Sequence, residues 1–387
     1  MLAIMQHGLA LASMLLALVT LGRLSLRFAL NLRFLASAQR LAASATSGRA
    51  PRVSVLVPAR NEIRGITACV ESLLQQTYPD VELIVLDDGS TDGTTEALAA
   101  LQSRFPALQV MRDADNPPPG WNGKSAACAQ LATHATGEWL LFTDADTIHQ
   151  PTSVASGLAQ ALGLRVALLS AIPLQQTRSW SERILVSFIL DFLPLVGVDL
   201  SAMWSGARGR TVANGQYILA HAESYRALGG HASIATALVD DFALAQRFRE
   251  SGHTVALVNG VSLLSCRMYT SAGEVWNGFT KNLLGALTST GERPNVLWYP
   301  LFAWGYASVF VLPIAYLIIG EQRELAAVAL GWLFLLRAAT GIYLKRPLDE
   351  ILTTPLAAWA VMALALSAMV RRWRGRGIEW KGRQYAS

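Results

Sequence analysis

The sequence predicts an α/β fold, a mostly parallel sheet with flanking helices, together with transmembrane helices at both ends of the chain. Short apolar runs alternate with helical stretches from residue 53 onward, and long apolar segments lie before residue 23 and after residue 295. The third observation is a charge deficit: of 387 residues 52% are hydrophobic and 15% charged, where soluble chains hold about 25% charged residues. A disordered chain is excluded, and an ordinary cytosolic enzyme is a poor fit.

Residues 1–22 contain no Lys, Arg, Asp or Glu, and about 20 apolar residues suffice to cross a bilayer core. The segment lacks the basic start of a signal peptide, so it is expected to stay as an anchor. Residues 23–52 form a basic juxtamembrane linker with six Arg and no acid, which the positive-inside rule places in the cytoplasm. Over 53–284 a cytoplasmic catalytic domain is expected. Its runs at 53–57, 81–86, 108–111 and Trp139–Phe142 read as buried strands, and Ile66–Leu74 and 94–101 as crossover helices. Such alternation makes a parallel sheet with helices on both faces, and ligands sit at the carboxyl ends of its strands.

Membrane helices are expected over 285–370, where apolar segments at 296–320, 325–344 and 351–370 are each long enough to span. The tail 371–387 holds six Lys and Arg against Glu379. Three crossings from a cytoplasmic domain would carry that tail outside, whereas the positive-inside rule wants it inside. One of the three segments is therefore expected to be re-entrant or interfacial. Arg337, within the second, reads as a paired or snorkelling structural residue or as a lipid-headgroup contact.

The two basic stretches carry +6 and +5, which leaves −6 on the rest of a chain whose total is +5. That is membrane-flanking charge and argues against a nucleic-acid partner. Cys69, Cys128 and Cys266 lie too far apart for a CxxC-type metal motif, and their odd number fits a reducing compartment. They are expected to be buried spectators.

Polar motifs fall at the predicted strand ends. The second strand runs into Asp87, Asp88, Gly89, Ser90, Thr91, Asp92 and Gly93. A turn and helix cap would explain these residues, but Pro58, Ala59, Arg60, Asn61 and Glu62 end the preceding strand, so two polar loops converge on one edge. The fourth strand runs into Thr143, Asp144, Ala145 and Asp146. Carboxylates spaced by two suit a hard divalent cation that keeps some of its waters, and such an ion can bridge a diphosphate and neutralise a departing nucleotide. A lone D-x-D is common by chance; as the third polar loop on one edge it carries more.

Residues 120–125 resemble the end of a phosphate-binding loop, but the first glycine of that pattern would fall on Pro118. Lys124 is left as a diphosphate contact or a solvated lysine. No G-x-G-x-x-G follows a strand, which disfavours a dinucleotide oxidoreductase. Asp240 and Asp241 precede an amphipathic stretch ending at Gly252. They read either as an acidic helix N-terminus or as a general base near an acceptor hydroxyl. The stretch 184–198, whose only charge is Asp191, reads as a buried core helix or as an interfacial segment for an apolar acceptor.

Taken in order, residues 58–62, 87–93, 144–146 and 240–241 resemble the family 2 glycosyltransferases, with a cytoplasmic GT-A (nucleotide-diphospho-sugar transferase) domain between membrane segments. The resemblance covers about residues 53–284, and residues 119–124, 268–282 and 380–385 look like the branch that glycosylates membrane lipids such as carotenoids, hopanoids and diacylglycerol. It implies that Asp87 or Asp88 holds the uracil and ribose of a UDP-sugar, with Pro58, Ala59 and Glu62 lining that pocket. It further implies that Asp144 and Asp146 bind Mg2+ or Mn2+ and the diphosphate, and that Asp241 is the base. Asp240 stands where the family's pair begins with Glu. Trp276 lies near where processive relatives carry Q-x-x-R-W, which is absent, so one sugar is expected and not a polymer. The implied enzyme is an inverting, metal-dependent hexosyltransferase of the cytoplasmic membrane, taking a UDP-sugar donor and a lipid acceptor. A membrane scaffold with a degenerate nucleotide site, or a nucleotidyl or lipid-phosphate transferase, are the competing classes.

Overall fold

A computed structural model describes residues 2–44, 50–113, 117–207, 211–288, 298–374, 378–380 and 383–385. The chain forms two compact units, one of Arg33–Gln176, Asp199–Met268 and Gly377–Ser387, the other of Met1–Leu32, Thr177–Val198 and Tyr269–Arg376.

The first unit is built on an eight-stranded sheet. Its strands are β1 (Val53–Ala59), β2 (Val81–Asp88), β3 (Gln109–Asp113), β4 (Trp139–Phe142), β5 (Thr147–His149), β6 (Leu168–Gln175), β7 (Ile218–His221) and β8 (Val255–Cys266), in the order β3-β2-β1-β4-β7-β6-β8-β5. β1 pairs in parallel with β2 and β4, β2 with β3, and β6 with β8. β7 runs antiparallel to both β4 and β6, and β5 antiparallel to β8. The sheet is thus mostly parallel, as expected. Val53, Val55, Leu56 and Val57 are all fully buried, because helices cover both faces and the strand alternation disappears. This polarity brings the carboxyl ends of β1, β2, β4, β6 and β8 and the amino end of β7 to one edge. Two further strands, β9 (Ile378–Trp380) and β10 (Arg383–Tyr385), pair antiparallel within the basic tail.

The second unit is helical. Among the described residues, three helices are long and apolar enough to cross a membrane: Ile4–Ser44, Arg323–Tyr343 and Thr354–Arg371. The segment expected at 296–320 is broken into Trp298–Phe310 and Leu312–Ile319, with Pro313 in the first turn of the second piece, where its missing N–H costs no helical bond.

The expected boundary between an anchor at 1–22 and a linker at 23–52 is not marked by a break. A single helix runs Leu2–Ser44, since residues 23–44 hold no Pro or Gly and are rich in Leu, Ala and Arg. The segment Thr177–Val198 belongs to the helical unit although it interrupts the sheet-forming sequence. It buries Phe188, Phe192, Leu195 and Val196, and Asn31 Nδ2 donates to the carbonyls of Leu195 and Val198 at 2.8 and 2.7 Å. In that unit it is the buried helix of the two readings. Arg337 is the paired structural residue: it is buried, its Nη2 donates to Ser187 Oγ at 3.0 Å, and its guanidinium lies over Phe192.

Candidate active site

At the carboxyl edge of the sheet the loops after β1 and β2 are stitched together. Arg60 Nη1 donates to the Asp88 carbonyl at 2.5 Å, Asn61 N–H to Ser90 Oγ at 3.0 Å, and Glu62 N–H to Thr94 Oγ1 at 2.8 Å. Gly89 has φ +65°, and a Cβ there would come 3.4 Å from Arg60 Nη1, so the turn calls for glycine. The Glu62 carbonyl accepts from the amides of Gly65 and Ile66 at the start of helix Ile66–Leu74. Pro58 and Ala59 end β1 in register with Leu86 and Asp87. Asp87 is buried, and its two oxygens accept from Ser90 N–H at 3.0 Å and Thr95 Oγ1 at 2.5 Å. It therefore builds the turn, and Asp88 beside it is buried as well.

The D-x-D loop after β4 abuts this pair of loops. A Cβ on Gly65 would lie 3.0 Å from the Ala145 carbonyl and 3.1 Å from Asp146 Cα. Below it, Thr143 Oγ1 donates to the Gln216 carbonyl at 2.8 Å, and Thr147 Oγ1 to the Asp144 carbonyl at 2.7 Å. All three cysteines are buried and free, and two of them touch the D-x-D loop. Cys69 Sγ is 3.6 Å from the Asp144 carbonyl, and the Cys266 thiol hydrogen-bonds with the Asp146 side chain. Burial pushes the Cys69 thiol up to about 12 and Cys266 well above its usual value, so both remain protonated.

Lys124 joins the D-x-D loop to the acidic pair. It lies in the first turn of helix Gly123–His134, which Asn122 caps by accepting from the Lys124 amide at 3.0 Å. Lys124 Nζ is 2.5 Å from Asp144 Oδ1 and 3.7 Å from Asp240 Oδ2. Burial opposes its charge, but Asp144 and then Asp240 outweigh burial and hold the ammonium well above its usual value. Lys124 is therefore not a solvated surface lysine.

Asp240 and Asp241 open helix Asp240–Glu250. Asp241 accepts from Gly215 N–H through Oδ2 and from Phe242 N–H through Oδ1, each at 2.8 Å. Burial and then the charge of Asp240 push the Asp241 carboxyl up to about 7, against the pull of Lys124 and the two amides. Beside the pair, Tyr225 Oη accepts from the His231 amide at 3.0 Å and sits 2.8 Å from His231 Nδ1. Burial pushes His231 down to about 4, so the ring is neutral.

The edge thus gathers Asp144, Lys124, Asp240 and Asp241, with Asp146 and the loops of Pro58, Ala59, Glu62, Asp87 and Asp88 alongside. Trp276 is carried by the helical unit, on helix Ala272–Thr288. Sequence reasoning missed Gly215, whose amide holds Asp241. A Cβ there would lie 3.0 Å from Lys124 Nζ and 3.4 Å from Asp241 Oδ2. The clue was a glycine just before β7, where backbone must approach other groups closely.

Among the described residues no group of three His, Cys, Asp or Glu side chains could by itself hold a metal ion. Asp144 and Asp146 offer oxygen donors only, which fits Mg2+ or Mn2+ if the other ligands come from a diphosphate and water.

The chain is similar to known proteins in sequence and in fold. The family described as Glycosyl transferase family 2 matches residues 54–186. The 4,4'-diaponeurosporenoate glycosyltransferase of Staphylococcus aureus strain MRSA252 is 28% identical over 342 residues, spanning 86% of this chain and 88% of that protein. The mannosyltransferase PcManGT from Pyrobaculum calidifontis, solved in complex with GDP-Man and Mn2+, aligns over 91% of this chain and 99% of its own, with 20% identity and a TM-score of 0.52. The family 2 glycosyltransferase match thus lies on the segment that supplies the nucleotide-side loops and the D-x-D, within a sheet unit that has the GT-A fold.

Proposed function

We propose that the protein transfers one sugar from a UDP-sugar to a hydroxyl of a membrane lipid of the carotenoid, hopanoid, glycerolipid or polyprenyl type, with inversion at the anomeric carbon. The observation that carries this reading is the Lys124 bridge, which joins the D-x-D carboxylate Asp144 to the acidic pair at 2.5 and 3.7 Å. A donor diphosphate and an acceptor oxygen would meet where those groups converge. Asp87 or Asp88, with Pro58, Ala59 and Glu62, would hold the nucleoside, and Asp144 and Asp146 would hold a divalent cation that neutralises charge on the leaving diphosphate. Asp241 would take the acceptor's proton, Asp240 would keep the Asp241 pKa raised, and Lys124 would stabilise the departing UDP. The apolar helices and the named substrate of the Staphylococcus relative support a lipid acceptor in a multi-pass protein of the cytoplasmic membrane, with the sheet unit facing the cytoplasm.

A second reading of the acceptor has its own support. The Staphylococcus relative is named for a carboxylate, and an acceptor that arrives ionised needs no base. Retained turnover in an Asp241→Asn variant would favour it.

The test is UDP release by the detergent-solubilised protein with Mn2+, a panel of UDP-sugars and total host lipid. Lipid-dependent release with one donor is expected, while pyrophosphate or a transferred phospho-sugar would favour the competing transferase class. Asp146→Ala should weaken Mn2+-dependent UDP binding, measured calorimetrically, by at least roughly 10-fold, the lower end of the loss when even a residue that only orients a metal ligand is removed. Unchanged binding would remove Asp146 from the metal site.

A further inference from the structure

The helical unit has two distinguishable ends. At one, His7 Nδ1 lies 3.0 Å from Glu321 Oε2 and His7 Nε2 lies 2.9 Å from Gln322 Nε2, so the turn before helix Arg323–Tyr343 sits beside the start of helix Leu2–Ser44. At the other, Asn31 is bonded to the segment ending at Val198. Asp191 of that segment meets Arg346 Nε at 3.3 Å, and Arg346 grips Glu350 at 3.0 and 2.8 Å. The two connections that flank Arg323–Tyr343 therefore lie at opposite ends, with Trp332 Nε1 donating to Ser25 Oγ at 3.0 Å between them. From His7 to Asn31 the helix rises about 36 Å, enough for a core of about 30 Å.

Charge orients the bundle. The His7 end carries Glu321, Arg323 and Glu324, whereas Arg33, Arg40, Arg183, Lys345 and Arg346 follow or flank the Asn31 end. The positive-inside rule makes the Asn31 end cytoplasmic.

Helix Thr354–Trp373 begins at that same end: Arg337 Nε reaches Thr354 Oγ1 at 3.4 Å, and Thr353 Oγ1 donates to the Arg183 carbonyl at 3.3 Å. A helix turning back to cross would run antiparallel along Arg323–Tyr343. This one packs chiefly along Ala272–Thr288 and against Trp180–Val186, with a smaller contact to Trp298–Phe310, whose Tyr306 Oη donates to the Ala358 carbonyl at 3.1 Å. Ala272–Thr288 bears Glu274, Asn277, Lys281 and Asn282, too many polar groups for a crossing helix. Trp180–Val186 is held at the cytoplasmic end by the ion pair of Arg183 with Asp349.

The inward face of Thr354–Trp373 consists of Ala357, Ala358, Leu364 and Ala368, all buried. On the other face Leu356, Trp359, Leu366, Met369 and Trp373 are 53, 50, 62, 50 and 86% exposed, which makes an apolar stripe, and Leu352 in the short helix before it is 74% exposed. No Lys, Arg, Asp or Glu lies between 354 and 370, and Arg371, Arg372, Arg374 and Arg376 follow at once.

We infer that the chain crosses the membrane three times, through Leu2–Ser44, the broken helix of 298–319 and Arg323–Tyr343, and that Thr354–Trp373 lies in the plane of the cytoplasmic leaflet, its apolar stripe in the lipid and the arginines after it on anionic headgroups. This rests on the membrane reading above. It also satisfies the positive-inside rule, since the basic tail stays cytoplasmic.

The test uses full-length protein in cells and in vesicles of phosphatidylethanolamine and phosphatidylglycerol. A membrane-impermeant maleimide should label Glu324→Cys in intact spheroplasts, and Leu348→Cys and Ser387→Cys only after permeabilisation. Spin labels at Leu356→Cys and Leu366→Cys should report the same depth within about 5 Å, near the headgroup boundary. A crossing helix would separate them by about 15 Å, and that result, or labelling of Ser387→Cys from outside, overturns the in-plane assignment. External labelling of Leu348→Cys overturns the three-crossing order. Release of the protein by alkaline carbonate would instead remove the membrane reading itself.

Discussion

Asp241→Asn should bind UDP as the native protein does and lose turnover roughly 10²- to 10⁴-fold, the range for removing a positioned general base. Asn keeps the shape of the side chain, and its single carbonyl oxygen can accept from one of the two amides, Gly215 or Phe242, that bond the separate oxygens of Asp241 at 2.8 Å each. The loss should therefore appear in turnover and not in the dissociation constant of UDP, with UDP release and calorimetry as the two measurements. Native-level turnover with a hydroxyl acceptor would end the base assignment.

The same residue sets a pH dependence. A base acts only when ionised, so turnover should rise with pH through about 7, where burial and Asp240 have moved the Asp241 carboxyl. Since the two acids are neighbours, the limb belongs to the pair. Stability runs the other way. The folded-state value lies above the unfolded 3.8, so the stability that Asp241 contributes is full below about pH 4 and is lost as pH rises through about 7. Asp241→Asn should accordingly lose this pH dependence, its Tm falling less between pH 5 and pH 8 than that of the native protein. Lost turnover with a flatter Tm–pH profile is the signature of a functional carboxylate kept ionised at a cost to the fold.

The sheet was legible because its strands are buried on both faces and so appear as unbroken apolar runs such as 53–57 and 139–142. The polar loops were legible because each follows such a run at the edge where parallel strands end. What the sequence could not reveal is what those loops do to one another. Asp87 and Asp88 are equivalent as letters, and only the Ser90 and Thr95 bonds show that Asp87 holds the turn. The contact of Lys124 with both Asp144 and Asp240 joins residues 20 and 116 positions apart, and no local pattern encodes it. Gly215 contributes an amide, which leaves no side-chain signal at all. Cys266, a small apolar letter in a strand, ends β8 beside the D-x-D loop because β8 runs parallel to β6 and pairs with β5. The single helix over Leu2–Ser44 was obscured by its own arginines, which read as a boundary of polarity although nothing in them breaks a helix.

Lys124→Met should lower turnover by roughly 10²- to 10³-fold, the loss typical when one preorganised electrostatic contact to developing charge is removed. Its second effect is the more diagnostic. Lys124 pulls the Asp241 carboxyl down against burial and Asp240, so without it the acid limb of the pH–rate profile should move to higher pH. A lysine that only braced the loops would not move that limb when replaced by a methionine of similar length. Lys124→Arg, which restores the charge, should return the limb toward its native position even where the longer, planar group positions the diphosphate less well. If the limb stays fixed in both variants, the charge of Lys124 is not coupled to the titrating pair. The 2.5 Å contact with Asp144 would then serve only to hold the D-x-D loop in place.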